Sequence, residues 1–144
     1  MKLQTPGILG VDVPPYKARK NEKYMSKKMS NHFQNILQTL KQQLIDQVNS
    51  TVNNLKSADD FSADENDRAS QEQLLIEEIN EKRRLALLVK KVHRALVSLE
   101  KGSYGYCDIC GEDIGLRRLE ARPTATLCID CKTLAEIQEK QRGQ

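Results

Sequence analysis

The sequence is poor in the residues that build a large rounded core. It has no tryptophan, aromatic residues make up 4% of its 144 positions, and hydrophobic residues account for 38%. Three of its four prolines lie within the first 29 residues. Residues 31–57 and 62–101 contain neither proline nor glycine. These shortages favour an elongated helical protein with a small globular end over a compact sphere.

The sequence also lacks a long hydrophobic run. Near the amino terminus the apolar residues 8–11 are followed at once by prolines at 14 and 15. Such a stretch is too short for the core of a signal peptide and far too short to cross a bilayer. We therefore expect a cytoplasmic protein that has no membrane association.

Charge is plentiful but unevenly placed. Charged residues form 30% of the chain, and the net charge is only +3. Five acidic residues fall between positions 59 and 67, whereas basic residues cluster at 82–84, 90–91, 94, 117–118 and 122. This dipolar pattern argues against a protein that coats nucleic acid.

All four cysteines stand in two close pairs with the spacing C-x2-C-x17-C-x2-C. The pairs are Cys107 with Cys110 and Cys128 with Cys131. Two such pairs supply the four corners of a tetrahedral zinc site, and four thiolates leave no position for water or substrate. We predict one structural Zn²⁺. Two disulfides in a secreted protein are the disfavoured alternative, and redox sensing by the thiolates is a lesser possibility.

No pattern in the sequence indicates an enzyme. The chain has no nucleophile and base at a recognisable spacing and no glycine loop that could cradle phosphate. We therefore predict a protein without catalytic residues.

The middle of the chain predicts a helical hairpin. Apolar residues recur at steps of three and four from Phe33 to Leu55, which is typical of a helix packed along another helix. Ser62 and Glu65 form a capping box for a second helix that runs to Lys101, where Gly102 is a natural stop. That helix has about 39 residues and is roughly 58 Å long. The short connection makes the two helices antiparallel.

The late part of the second helix is apolar on more than one face, so it must meet a third element. The predicted fold is all-α dominated: a long antiparallel coiled-coil hairpin that protrudes from a small globular base with a four-cysteine zinc finger and a C-terminal helix. We divide the chain into residues 1–30, which pack on the base, the hairpin 31–101 with its tip near 58–68, and the zinc module 102–144. In that module we expect Gly111 to take a positive φ, and a helix over 132–141 to turn Leu134 and Ile137 inward.

Two charged sets stand out from this arrangement. The acidic tip is explained in part by helix capping, because the helix dipole favours carboxylates in its first turn. Asp64 and Asp67, however, are three residues apart and share one face of the second helix at the end of the long hairpin. Near the base, Lys91, Arg122 and Lys132 are expected to converge on a surface suited to a ligand with several phosphates.

Five motifs spread along the chain match one known family. They are residues 105–111 (GYCDICG), 114–124 (IGLRRLEARPT), 127–132 (LCIDCK), the tip motif 64–69 (DENDRA) and residues 24–25 (YM). By these motifs the chain resembles, over essentially its whole length, the DksA family of four-cysteine zinc-finger transcription regulators. The segment 62–66 (SADEN) departs from the family because it lacks the prolines often found at this tip.

The resemblance implies a cytoplasmic, monomeric regulator of the stringent response. Such a protein binds bacterial RNA polymerase directly, without binding DNA, and its coiled coil enters the secondary channel. With ppGpp as effector it represses ribosomal RNA promoters and activates promoters of amino-acid biosynthesis.

The resemblance also implies roles for individual residues. The family's tip residues fall on Asp64, Asp67 and Ala69, and a polymerase-contacting arginine falls on Arg84. Its ppGpp contacts fall on Leu88, Lys91, Arg122 and Lys132.

Two other functions compete with this hypothesis. A zinc ribbon that binds nucleic acid through its arginines is the first, although phosphate would repel the acidic tip. A transcript-cleavage factor is the second, because such factors use a similar hairpin, but they are not built on this zinc module.

Overall fold

The computed structural model describes residues 14–57 and 65–143, which form four helices and no β-strand. They are α1 (Lys27–Ser57), α2 (Glu65–Lys101), α3 (Leu116–Ala121) and α4 (Ile129–Arg142). The all-α prediction is therefore confirmed for these residues. The predicted cap at Ser62 and most of the predicted tip lie outside the described residues. No helix within them is both long and apolar enough to span a bilayer.

Helix α1 begins four residues earlier than the sequence pattern predicts. The hydroxyl of Ser26 accepts a hydrogen bond from the backbone N–H of Met29 at 3.4 Å and donates one to Glu22 at 2.9 Å. Ser26 thus caps the first turn, and Met25 just before it has a φ of 55°, outside the helical range. Apolar spacing misses this start because the first turn carries lysines.

The hairpin is held by one apolar stripe on each long helix. From α1 the stripe contains Phe33, Ile36, Leu37, Leu40 and Leu44, and from α2 it contains Leu85, Val92 and Ala95, all of them buried. The early half of α1 thus meets the late half of α2, which confirms the antiparallel packing. At 37 residues, α2 is about 55 Å long.

The early part of α2 is an exposed arm. From position 67 to position 84 no residue is buried, and Leu74 and Ile76 are 58% and 51% exposed. Burial begins at Leu85 and recurs at Val92 and Ala95 in the late part of the helix. This distribution is what a hairpin protruding from a base requires.

The base covers the additional apolar surface of late α2. Tyr104 and Leu119 are buried in the same cluster as Phe33 and Leu85, and Leu88 and Leu96 pack against it, half-buried. The hydroxyl of Tyr104 donates to the carbonyl of Pro123 at 2.7 Å, so its one polar atom is satisfied inside the core. Hairpin and base therefore share one continuous hydrophobic core.

The segment before α1 contacts the base through two tyrosines. The backbone N–H of Tyr16 donates to Glu120 at 2.8 Å. The hydroxyl of Tyr24 donates to the carbonyl of Gly105 at 2.8 Å and accepts from the N–H of Gly115 at 3.0 Å. The two bonds of Tyr24 join the chain before α1 to both ends of the loop 105–115, which contains the first cysteine pair and is called the first cysteine loop.

The predicted orientation of the last helix is wrong. Leu134 and Ile137 are 59% and 47% exposed, while Cys131 packs against the hydrophobic core and Ala135 is half-buried. The fixed position of Cys131 in the cysteine cluster decides which face turns inward, and this constraint overrides the apolar pattern. The helix also begins at Ile129 rather than at 132, because the Cys128 sulfur accepts a hydrogen bond from the N–H of Cys131.

Candidate functional site

The four cysteines form a tight cluster. Their Sγ atoms all lie within 4.8 Å of one another. Cys110 Sγ and Cys128 Sγ are 3.7 Å apart, which is far longer than the roughly 2.05 Å of a disulfide. Four sulfurs at about 2.3 Å from a tetrahedral Zn²⁺ would be separated by about 3.8 Å. The cluster therefore fits zinc and does not fit two disulfides.

Each half of the cluster is shaped by its own backbone turn. In the first, the N–H of Cys107 donates to the backbone carbonyl of Glu112 at 2.8 Å, and the N–H of Gly111 donates to the backbone carbonyl of Cys107 at 3.0 Å. Gly111 has a φ of 76°, as predicted, because the chain reverses there. In the second, Cys128 caps α4 and Cys131 occupies its first turn. The N–H of Asp108 donates to the backbone carbonyl of Thr126 at 2.9 Å, and this bond links the two halves.

Neighbouring groups spread the pKa values of the thiols apart. Hydrogen bonding from the backbone of Cys110 lowers the pKa of Cys107 to about 6. A hydrogen bond between the side chains of Cys131 and Cys128 raises the pKa of the Cys131 thiol to about 12. Four thiolates this close repel one another, so complete deprotonation requires a cation. A bound Zn²⁺ would supply that charge and would contribute directly to folding.

A cavity of about 450 Å³ lies between α2 and the cysteine module, and we call it the cationic cavity. The charged residues that line it are Arg84, Lys91, Arg94, Arg118, Arg122, Lys132 and one carboxylate, Asp108. Six cations around one concave surface create a strongly positive potential. The cavity is within the size range of small-molecule sites.

The cationic cavity brings together the residues that the sequence singled out near the base. Leu88 and Lys91 come from α2, Arg122 follows α3, and Lys132 belongs to α4. Arg84 lies at the same cavity, one turn before Leu88.

Two of the six lining cations were not predicted as site residues. Arg94 lies three residues after Lys91, a helical spacing that could have indicated it. Arg118 has no such signal, because its place depends on α3. Its Nε donates to the carbonyl of Leu127 at 2.9 Å, which holds the loop before the second cysteine pair.

The cations of the cavity differ in how far they are neutralised. Arg84 makes a bidentate pair with Glu81 at 2.6 and 2.9 Å, and this pairing lowers the pKa of Glu81. Lys132 lies 3.8 Å from Glu136. For Lys91 and Arg122, no carboxylate in the described ranges 14–57 and 65–143 is within ion-pair distance. These two cations can take an anionic ligand without first breaking an ion pair.

The tip residues lie far from the cavity. Asp67 and Ala69 are exposed in the first turns of α2, whereas Asp64 falls outside the described residues. Along α2, Asp67 and Lys91 are separated by roughly 36 Å at 1.5 Å per residue. The structure thus keeps the two predicted sites apart.

Two family models match most of the chain. The DnaK suppressor protein DksA, N-terminal domain, matches residues 29–99, and the prokaryotic dksA/traR C4-type zinc finger matches residues 102–136. The first covers the hairpin and the second covers the cysteine module. Together they bear out the family resemblance found in the motifs.

Individual proteins are similar over nearly the whole chain. The RNA polymerase-binding transcription factor DksA of Haemophilus influenzae is 46% identical over 129 residues, which cover 90% of this chain and 89% of that protein. Its namesake in Escherichia coli strain K12 is 46% identical over 134 residues, which cover 93% and 87%.

A solved structure has the same fold. Transcription factor DksA2 from Pseudomonas aeruginosa superposes with a TM-score of 0.76 at 37% identity and covers 81% of this chain and 90% of its own. The likeness therefore extends beyond the zinc finger to the hairpin and the base.

Proposed function

This chain belongs to the DksA family of transcription factors, and we propose that it binds bacterial RNA polymerase directly through the secondary channel and acts there with ppGpp. It regulates transcription and is not an enzyme. In the proposed role it represses ribosomal RNA promoters and activates promoters of amino-acid biosynthesis. It works as a cytoplasmic monomer without contacting DNA. The similar proteins of Haemophilus influenzae and Escherichia coli are named as RNA polymerase-binding transcription factors, which supports this partner.

The cationic cavity is the observation that carries the proposal. It collects Leu88, Lys91, Arg122 and Lys132 from three separate segments around a space large enough for a nucleotide. We propose that Lys91, Arg122 and Lys132 bind the phosphates of ppGpp and that Leu88 contacts its apolar surface. Because one side of the cavity is open, the polymerase would complete the site.

The exposed arm supports the proposed mode of docking. A two-helix arm about 10–20 Å wide and tens of ångströms long suits insertion into a channel. Arg84 lies where the arm joins the base, and we propose that it contacts the polymerase at the channel entrance. Asp64, Asp67 and Ala69 would then reach the catalytic centre, where carboxylates can perturb metal ions or mobile elements.

Cys107, Cys110, Cys128 and Cys131 are proposed to hold one structural Zn²⁺. Their sulfur separations fit the metal, and the C4-type zinc-finger model covers all four. The metal would fix the turn of α4 and thereby place Lys132 at the cavity. It supplies no catalytic chemistry, because four thiolates fill its coordination shell.

Purified RNA polymerase on a ribosomal promoter tests the proposal. We expect this protein to shorten the lifetime of the open complex, and to do so more strongly when ppGpp is present. A polymerase that is unaffected in both conditions would contradict the proposed function. Binding to promoter DNA in the absence of polymerase would favour the zinc-ribbon alternative instead.

A further inference from the structure

A second depression, of about 300 Å³, lies on the hairpin and is more open than the cationic cavity. Its lining consists of Val89 and four basic side chains: Lys41, Lys90, His93 and Arg94. Lys41 comes from α1 and the others from α2, so the seam between the two helices forms the site. Apart from Arg94, none of these residues lines the cationic cavity. We call this site the basic depression.

The cations of the basic depression have no acidic partner within the described part of the chain. The ion pairs found there involve His32, Arg84 and Lys132 and none of the residues of the depression. Three formal positive charges and an imidazole thus meet on one small surface without neutralisation. Such an arrangement is unfavourable by itself, and an anionic partner would relieve it.

The form of the depression selects a protein partner over a free phosphate ion. Compact phosphate sites commonly use backbone N–H groups at a helix start or in a tight turn. Here the surrounding backbone lies within α1 and α2, where the N–H groups are already used in the helices. Val89, half-buried, provides an apolar surface, and the basic side chains that surround it are flexible. An apolar centre with a polar rim is the usual anatomy of a protein–protein contact.

We propose that the basic depression docks an acidic segment of a partner protein. An aliphatic side chain of that segment lies over Val89, and flanking carboxylates pair with Lys41, Lys90 and Arg94. The site is separate from the proposed ppGpp site, because Val89 and Lys90 lie on a different face of α2 from Leu88 and Lys91. The inference therefore goes beyond the proposed function and does not depend on it.

The two histidines of the chain provide a direct test by proton NMR. The full-length protein is titrated with the synthetic peptide Glu-Asp-Leu-Glu-Asp, while the imidazole signals of His93 and His32 are followed at constant pH. We expect the His93 signal to shift to saturation and the His32 signal to stay, since His32 packs against Tyr16 and Phe33 elsewhere. The uncharged peptide Gln-Asn-Leu-Gln-Asn should move neither signal.

Charge variants decide whether the depression itself binds the peptide. Lys41→Gln combined with Lys90→Gln should weaken the affinity seen at His93 roughly three- to tenfold. The matched variant Lys91→Gln with Arg122→Gln removes two charges from the cationic cavity and should leave that affinity within about twofold. Equal affinity in the first variant and the parent would overturn the proposal.

Inorganic pyrophosphate distinguishes the remaining ligand class. If it shifts the His93 signal at lower concentration than the acidic peptide does, the depression is a phosphate site and the proposed protein contact is wrong. We expect the reverse order. Circular dichroism of each variant should match the parent, because Lys41 and Lys90 lie outside the buried core.

Discussion

The hydroxyl of Tyr24 and the carbonyl of Gly105 are joined by a 2.8 Å hydrogen bond across 81 residues of sequence. The Tyr24 hydroxyl also accepts a hydrogen bond from the N–H of Gly115, so one side chain binds both ends of the first cysteine loop. Its burial raises the pKa of the phenol, and the hydroxyl therefore stays protonated as a donor. Docking of the chain before α1 and the shape of the zinc module are thus coupled.

Gly105→Ala should destabilise the protein strongly. Gly105 has a φ of 91°, and an added Cβ would lie 2.8 Å from Cε of Met25. We expect a loss of about 2–3 kcal/mol in thermal or urea unfolding, since strain and steric conflict add. Gly102→Ala is the matched control. Gly102 has a φ of 77° and no atom within 4 Å of the new Cβ, so about 1 kcal/mol is expected. Equal losses in the two variants would show that the contact with Met25 is unimportant.

Cys128→Ser should unfold the cysteine module. The substitution removes a proposed zinc ligand, so α4 and the loop before it lose their anchor to the metal, while the serine hydroxyl can still cap α4. Circular dichroism should show lost helix, the melting transition should fall, and bound zinc should drop well below one per chain. A chelator added to the parent should reproduce the effect. A zinc-free variant that melts like the parent would contradict a structural metal.

Lys91→Ala should reduce the response to ppGpp while polymerase binding stays nearly intact. Lys91 lines the cationic cavity without an ion-pair partner among the described residues, so its charge is available to a phosphate. Each lost charged hydrogen bond should cost on the order of 1.5–3 kcal/mol. Lys101→Ala removes an exposed charge of α2 that lines neither the cationic cavity nor the basic depression, and it serves as the control. Full ppGpp potentiation in a Lys91→Ala, Lys132→Ala double variant would rule out the assignment.

Glu81→Gln should make Arg84 a better polymerase contact. Glu81 now holds the guanidinium in a bidentate pair on the exposed arm. Exposed pairs contribute about 0.2–1 kcal/mol, so freeing Arg84 should tighten polymerase binding by roughly 1.5- to 5-fold. Competition binding to purified polymerase measures this change. Glu77→Gln, one turn earlier, is the control. If Glu81→Gln weakened binding, the pair with Glu81 would be needed to orient Arg84.

Asp67→Asn should leave polymerase binding intact while abolishing the effect on the open complex. The substitution keeps the size of the side chain and removes its charge at the start of α2. A few exposed carboxylates add little net affinity, whereas charge matters more in the low dielectric of a catalytic centre. We expect polymerase binding near that of the parent and no shortening of the open-complex lifetime. Glu72→Gln, also exposed on α2, should behave like the parent. Parallel loss of binding and activity in Asp67→Asn would make the tip an anchor.

The sequence by itself determined the helices and turns of this protein that depend on nearby residues. Helix α2 could be predicted to within a few residues because its spacing, lack of proline and terminal Gly102 act over one or two turns. The zinc cluster was predictable for the same reason, since two residues between thiols bring each pair together. The positive φ of Gly111 followed from that turn.

Other features depended on the tertiary structure. Arg118 lines the cationic cavity, α3 lies between the two cysteine pairs, and Leu134 faces outward. Each outcome depends on how the cysteine module is rotated against α2. That rotation is set by distant contacts such as Tyr104 with Pro123, Tyr24 with Gly105 and the convergence of four sulfurs. Periodicity along one helix carries no information about these distances, because they are fixed only when segments far apart in the chain pack together.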